Sequence, residues 1–367
     1  MTTDAEERGP DPEARRQLTL LQRLPVRQII LVLLSIALVI GVALGTWSTL
    51  SVGKFSGAQW GDLLLNGIAR GSVYALIAMG YTLVYGILFM INFAHGEVFM
   101  AGTFTTLFIA RWFHSIGFLG SQPVFALALL LVCSAVISMV IAVLLERIAY
   151  RPLRGAPRLV PLITAIGASL FLQYTFRGLY GAQVQAYPRI EAVRGEWSLF
   201  GFGVAKSQVI VILGAVILVV ALYLFIERTK TGRSMRAVGE DKEVASLMGI
   251  DVDRVIVTTF AIGGVLAGAA GILFIFLFNQ VQFDMGFIPG IKAFTAAVLG
   301  GIGNITGAAL GGLALGVLEA VGPFLFLTGA NVPGINQLQP VVAFGVLVLV
   351  LIFRPGGLLG STEEQRA

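Results

Sequence analysis

The stretch Met90–Gly102, MINFAHGEVFMAG, places Asn92, His95 and Glu97 close together, with apolar runs on both sides. An ionisable group in hydrocarbon is costly and defaults to a functional hypothesis. On a helix, Asn92 and His95 are three residues apart and share a face, whereas Glu97 need not join them. Two uses fit these residue types. They can satisfy backbone groups freed at a helix break and cap the next helix, or they can line a path and transmit movement along it. The structural use is favoured. Lys292 and Glu319 are two further charges inside apolar stretches. Pairing would lower the cost of either one alone. Arg70 is similar: it either snorkels to the outer surface or points inward.

The elements that must position these groups follow from composition. The chain has 367 residues, of which 57% are hydrophobic and only 12% charged, with mean hydropathy +0.88. A soluble domain carries about 25% charged residues, so this chain belongs in a bilayer. Stretches of about 17–25 apolar residues are spanning candidates. They fall near 29–47, 61–80, 93–113, 123–145, 159–179, 208–226, 255–278, 287–299, 305–327 and 338–353. The eighth is short enough to be re-entrant, giving eight to ten spans in an all-α integral membrane protein. The segment Gly61–Met90 would be about 45 Å as one helix, and Gly71, Gly80 and Gly86 are candidate points of breakage. Of the 25 basic residues, 17 fall in 1–28, 147–158, 228–254 and beyond 353. Alternating spans put all of these on one side, the cytoplasm, with both termini there. Spans two to five and seven to ten then run in opposite senses, as in an inverted repeat.

Several chemistries are excluded. No G-x-x-x-x-G-K-[ST] occurs, so the chain cannot cradle ATP phosphates by that loop. Two histidines, His95 and His114, are too few for a histidine-built metal site, and Cys133 is the only cysteine. No convincing cluster of titratable groups marks a membrane enzyme. Transport or conduction is the better class, with no nucleic-acid partner and no cofactor. The loop 227–254 is the longest polar stretch within the membrane-embedded part. Within it, Arg236–Gly249 suits one short amphipathic helix, with Val244, Leu247 and Met248 grouped at helical spacing. This helix is either a solvated loop element or a docking element for a cytosolic partner.

Glu243-Val244-Ala245-x-x-x-Gly249 resembles the E-A-A-x-x-x-G loop of bacterial ABC importer permeases, with Val244 in place of the first alanine. Asn66–Gly102, Ala245–Leu273, Gly290–Glu319 and ERIAYRPLRG at Glu146–Gly155 are similar to the LivH-type permeases of branched-chain amino acid ABC transporters. The resemblance covers about residues 60–360. It implies an ABC importer permease fold and a partnership with a LivM-like second permease. It also implies two LivG/LivF-like ATPases that bind the ATP, and a periplasmic or lipid-anchored amino-acid-binding protein. The coupling contact to the ATPases would use Arg236, Glu240, Asp241, Glu243, Ala245 and Gly249, and the path or gate would use Asn92, His95, Glu97, Lys292 and Glu319. In that setting Lys292 and Glu319 are an outer gate for a zwitterionic amino acid or a structural pair; the pair is favoured.

The resulting domain reading has four parts. Residues 1–28 form a disordered cytoplasmic tail. Residues 29–57 form an extra transmembrane anchor, retained rather than cleaved because its leader is long, with an outer linker. Residues 58–356 form the permease domain with coupling loop 228–254, surrounded by membrane lipid. Residues 357–367 form a cytoplasmic tail. The outward loop at about 180–207 is too small to capture ligand itself. Gly264-x-x-x-Gly268, Gly307-x-x-x-Gly311 and Gly312-x-x-x-Gly316 are assigned to close helix packing. LGGIGN, Leu299–Asn304, reads as a turn and as a second candidate contact to the ATPases. The rivals to branched-chain amino acid import are a urea or short-amide importer and, of another class, a secondary transporter or channel working alone.

Overall fold

The computed structural model describes residues 26–157, 159–188, 190–199, 202–329, 332–354 and 356–360. The expected tail therefore lies outside the described residues up to 25, and residues 26–28 instead begin the first helix. The other expected tail, 357–367, is described only to 360.

The helices, in chain order, are α1 (Val26–Val52), α2 (Gly57–Leu88), α3 (His95–Ser115), the single turn α4 (Phe118–Ser121), α5 (Pro123–Leu145) and α6 (Leu159–Tyr180). After two short strand pairs begin come α7 (Lys206–Arg228), α8 (Lys230–Glu240), α9 (Lys242–Leu247), α10 (Val252–Phe278), α11 (Phe287–Gly300), α12 (Ile305–Leu327) and α13 (Gln339–Phe353). All ten apolar stretches are helical. Among the described residues, seven helices are long and apolar enough to cross a membrane. The remaining three have separate reasons. The 21-residue α3 carries His95, Glu97, Arg111 and His114. At 14 and 15 residues, α11 and α13 reach only about 21–23 Å against a hydrocarbon core of about 30 Å.

The described residues form two compact units. In the first, residues 26–53 pack with 325–329: Ser48 Oγ donates to the Gly329 carbonyl at 3.2 Å, and the Gly329 amide donates to Thr49 Oγ1 at 2.9 Å. The second unit holds the rest. At its centre are α2 and α10, which pack on each other and bury nearly every residue over Gly71–Val84 and much of Val255–Phe276. Helices apolar on all sides belong in the middle of a membrane bundle. Around them, α5, α6 and α7 expose Phe125, Phe171 and Ile217, in keeping with a lipid-facing surface.

Close approach explains the glycines. A Cβ at Gly264 or Gly268 would collide with α5 at Ser138 and Ser134. Ser134 Oγ uses that proximity to donate to the Gly268 carbonyl at 2.8 Å. Gly312 and Gly316 meet Ala75 and Gly71 of α2 in the same way, and Gly307 and Gly311 meet α11. Gly71, Gly80 and Gly86 do not break α2, contrary to expectation. The helix runs unbroken for 32 residues, about 48 Å; Gly71 and Gly80 admit close neighbours instead of bending.

Candidate translocation path and coupling loop

Helix α2 ends one residue past Leu88, at Phe89, in a left-handed conformation with φ 54°. Helix α10 ends in the same manner at Asn279, φ 55°. Among the described residues these are the only non-glycine positions with positive φ. Each is a helix-terminating cap whose amide donates back to the carbonyl four residues earlier. The Phe89 break lies beside α8 and α9: a Cβ at Gly239 would meet the Gly86 carbonyl, and Lys242 Nζ stands 5.7 Å from the Phe89 ring centre. The Asn279 break lies at the far end of α10, where Gln185–Ala186 pairs antiparallel with Gln280–Val281. The two central helices thus end at opposite ends of the bundle.

The polar knot occupies the first break, and its members diverge. Asn92 lies in the non-helical segment before α3, so it does not share a helical face with His95, contrary to the expectation from their spacing. Its Oδ1 accepts a 2.6 Å hydrogen bond from the Tyr150 hydroxyl, on the π-helical turn Glu146–Tyr150 that follows α5. His95 is buried in the first turn of α3, where its ring occupies the space that a side chain at Gly80 would need and meets Tyr81 edge-on at 4.9 Å. Glu97 is fully buried; it accepts from Gln173 Nε2 at 2.6 Å and from Ser169 Oγ at 3.3 Å, both on α6. None of the three caps α3, whose first turn begins after Ala94 without a side-chain cap. The knot joins three different neighbours to the start of one helix.

Lys292 and Glu319 pair. Lys292 Nζ lies 2.5 Å from Glu319 Oε1, with both residues buried. This pair lines a cavity of about 490 Å³ at the Asn279 break, together with Arg70, Asp284 and Gln173. Arg70 points inward: it donates to Gln339 Oε1 at 3.2 Å and stands over the Phe278 ring. A second cavity, about 590 Å³, opens at the Phe89 break and is lined by Gly86, Phe89, Arg236, Glu240 and Asn304. Gln173 reaches the first cavity and holds Glu97, while Thr82, next to Tyr81, reaches the second. His95 and Glu97 therefore stand in the layer between the two.

The polar loop folds as two helices, not the single one expected over Arg236–Gly249. Asp241 breaks the run and caps α9, with Oδ1 accepting from the Glu243 and Val244 amides at 2.8 and 3.0 Å. Glu240 closes α8 and lines the second cavity. Arg236 donates to the Ile226 carbonyl at 2.7 Å and pairs with Glu227 at 3.2 Å, bracing α8 against the end of α7. Ala245 is buried, and Gly249 (φ +83°) terminates α9. Its amide donates to the Ser246 carbonyl, and the Ile250 amide reaches the Ala245 carbonyl, a Schellman closure that favours glycine. Leu247 and Met248 are 87% and 78% exposed. Burial against the loop, then the nearby Arg154 charge, lowers the Lys242 pKa. Asp253, just inside α10, receives both Arg151 (2.9 Å) and Arg154; Arg154 also binds the buried Glu146. The two basic loops thus meet at one end of the bundle.

Leu299–Asn304 forms the expected turn, with Gly301 and Gly303 at φ 105° and 96°. Residues 358 and 359 return to it and donate to the Leu299 and Gly300 carbonyls at 2.8 and 2.9 Å. Sequence reasoning missed Tyr150, Gln173, Arg154, Asp253 and Asp284. Gln173 carried the same signal as Glu97, a polar residue in an apolar stretch; the others lie in loops or at the ends of helices, where polarity is unremarkable.

This is a multi-pass helical membrane protein with a polar-lined interior and a structured loop pair at one end. The family model for the branched-chain amino acid transport system permease component matches residues 63–351, and the chain belongs to that family. It is 45% identical over 306 residues to the high-affinity branched-chain amino acid transport system permease protein BraD of Pseudomonas aeruginosa, covering 83% of this chain and 96% of the relative. It is 40% identical over 308 residues to the corresponding permease protein LivH of Escherichia coli, and equally to LivH of Salmonella typhimurium, with 83% and 96% covered in each case. The chain is a transport subunit, an ABC transporter permease component, and not an enzyme. Helix α1 lies outside the matched residues.

Proposed function

We propose that this chain forms half of the membrane channel of an ATP-driven importer that carries branched-chain amino acids into the cell by alternating access. The observation that carries this reading is the 40–45% identity to high-affinity branched-chain amino acid permeases across 96% of their length. In this reading the protein sits in a bacterial inner membrane with both termini cytoplasmic. It pairs with a LivM-like permease, two LivG/LivF-like ATPases bind and hydrolyse the ATP, and a periplasmic or lipid-anchored binding protein delivers the amino acid. The α8–α9 pair is the ATPase contact, with Arg236, Glu240, Asp241, Glu243, Ala245 and Gly249 shaping it and Leu247 and Met248 exposed upon it. The contact between Lys242 and Phe89 supports a direct route from that loop to the break that carries Asn92, His95 and Glu97. The Lys292–Glu319 pair lies on the path, at the cavity away from the ATPases.

The test is uptake of labelled leucine and labelled urea in cells carrying this chain with its partner subunits, with and without ATP depletion. ATP-dependent leucine uptake is the expected result. ATP-dependent urea uptake without leucine uptake would replace the substrate, and uptake that survives ATP depletion would remove the ATPase coupling.

A further inference from the structure

The cavity at the Asn279 break holds more charge than the Lys292–Glu319 pair uses. Arg70 and Asp284 also line it. Among the described residues, no carboxylate lies within ion-pair distance of Arg70 and no cation within ion-pair distance of Asp284. The Arg70 guanidinium is steered into the cavity by a neutral partner, Gln339, and by the face of Phe278, which leaves its charge unspent. Glu319 gives only one oxygen to Lys292; its Oε2 is buried without a hydrogen-bond partner, although the residue is only 3% exposed. That oxygen is enclosed by protein and not open to the cavity, so Glu319 serves the pair alone. The cavity therefore presents a free cation and a free anion, with Phe274, Phe278 and Ile288 as an apolar wall.

We infer that this cavity is a transit binding site for a zwitterionic α-amino acid, with Arg70 taking the α-carboxylate, Asp284 taking the α-ammonium, and Phe274, Phe278 and Ile288 facing the side chain. The inference rests on the reading of the chain as an amino-acid importer subunit and deepens it. A guanidinium fork suits a carboxylate, and an ammonium with three donors suits the oxygens of a carboxylate. The volume, about 490 Å³, lies in the range of small-molecule sites and leaves room for water around an amino acid. The Lys292–Glu319 pair forms the fixed floor. Because it is already neutral as a pair, it does not compete for the ligand's charges. A neutral solute would have no use for the charges on Arg70 and Asp284.

The experiment uses the full importer, with all partner subunits and the binding protein, in proteoliposomes. Leucine uptake and ATP hydrolysis stimulated by loaded binding protein are measured for wild type and for the Arg70→Gln, Arg70→Lys, Asp284→Asn and Asp284→Glu variants. The neutral variants are expected to lose tenfold or more of leucine uptake while stimulated hydrolysis stays within twofold of wild type, and the charge-preserving variants recover part of the uptake. Uptake within twofold of wild type in both neutral variants would overturn the proposal. So would a joint loss of uptake and hydrolysis that the charge-preserving variants fail to relieve, since that marks a structural role only. A wild-type importer that carries urea and not leucine would overturn the importer reading together with this site, whereas normal wild-type leucine uptake with unaffected variants overturns the site alone.

Discussion

The Tyr150 hydroxyl donates a 2.6 Å hydrogen bond to Asn92 Oδ1, fastening the turn after α5 to the segment that separates α2 from α3. Both residues are buried. Tyr150→Phe removes the donor and leaves the buried amide oxygen unsatisfied, which costs about 1–3 kcal/mol. The expected outcome is a lower melting temperature of the purified complex. Replacing Asn92 by Leu in the same chain should recover much of that loss, because an apolar pair leaves nothing unsatisfied. A double variant no more stable than Tyr150→Phe would show that the bond is not what holds the segment.

The Lys292–Glu319 pair predicts a sharper asymmetry. The two charged groups are 2.5 Å apart, with side chains 11% and 4% exposed. Removing one partner strands the other, which costs about 3–5 kcal/mol for a buried pair, whereas replacing both by neutral groups is often near neutral. Lys292→Met and Glu319→Gln are each expected to reduce the amount of folded protein in the membrane, and the double variant to restore it. Additive losses in the double variant would mean that the two residues do not depend on each other.

Gly249 is required by conformation rather than by contact. Its φ is +83°, and a Cβ placed there meets nothing within 4 Å. Gly249→Val therefore strains the backbone, by about 1–3 kcal/mol for a non-glycine residue held there, without a clash. The strain falls on the end of α9, so the fold of the membrane helices is expected to survive. Leucine uptake should fall at least fivefold while ATP hydrolysis continues, measured in parallel on the same proteoliposomes. Wild-type uptake in this variant would remove the loop from the coupling route.

The ten apolar stretches were legible as helices because long apolar runs have few alternatives in a bilayer. The sequence also singled out Lys292 and Glu319, since isolated charges in such runs stand out. It misjudged α2 because glycine spacing alone does not say whether a glycine bends a helix or admits a neighbour. Gly80 makes room for the ring of His95 and Gly312 for the backbone of α2, contacts that only the tertiary fold reveals. The break came instead at Phe89, whose left-handed conformation has no local sequence signal. The two-helix form of the coupling loop was present in the sequence at Asp241, a cap residue followed by Glu243. The apolar periodicity across it hid the boundary. Arg70 and Asp284 are separated by more than two hundred residues, and no spacing rule could bring them to one cavity.

Leu247 and Met248 supply the last prediction. They are among the most exposed apolar side chains on the loop end of the protein, at 87% and 78%. They stand at the end of a short helix fixed at one terminus by Asp241 and at the other by Gly249. An apolar pair held rigidly in water marks an interaction site better than scattered surface residues do. Its burial in a partner contributes roughly 1.5–3 kcal/mol for each fully covered side chain. Leu247→Asp with Met248→Asp should leave this chain in the membrane at normal level and reduce co-purification of the ATPase subunits tenfold or more. Retention of the ATPases at wild-type stoichiometry would show that the loop end is solvated surface and that the contact lies elsewhere, with the turn Leu299–Asn304 the next place to mutate.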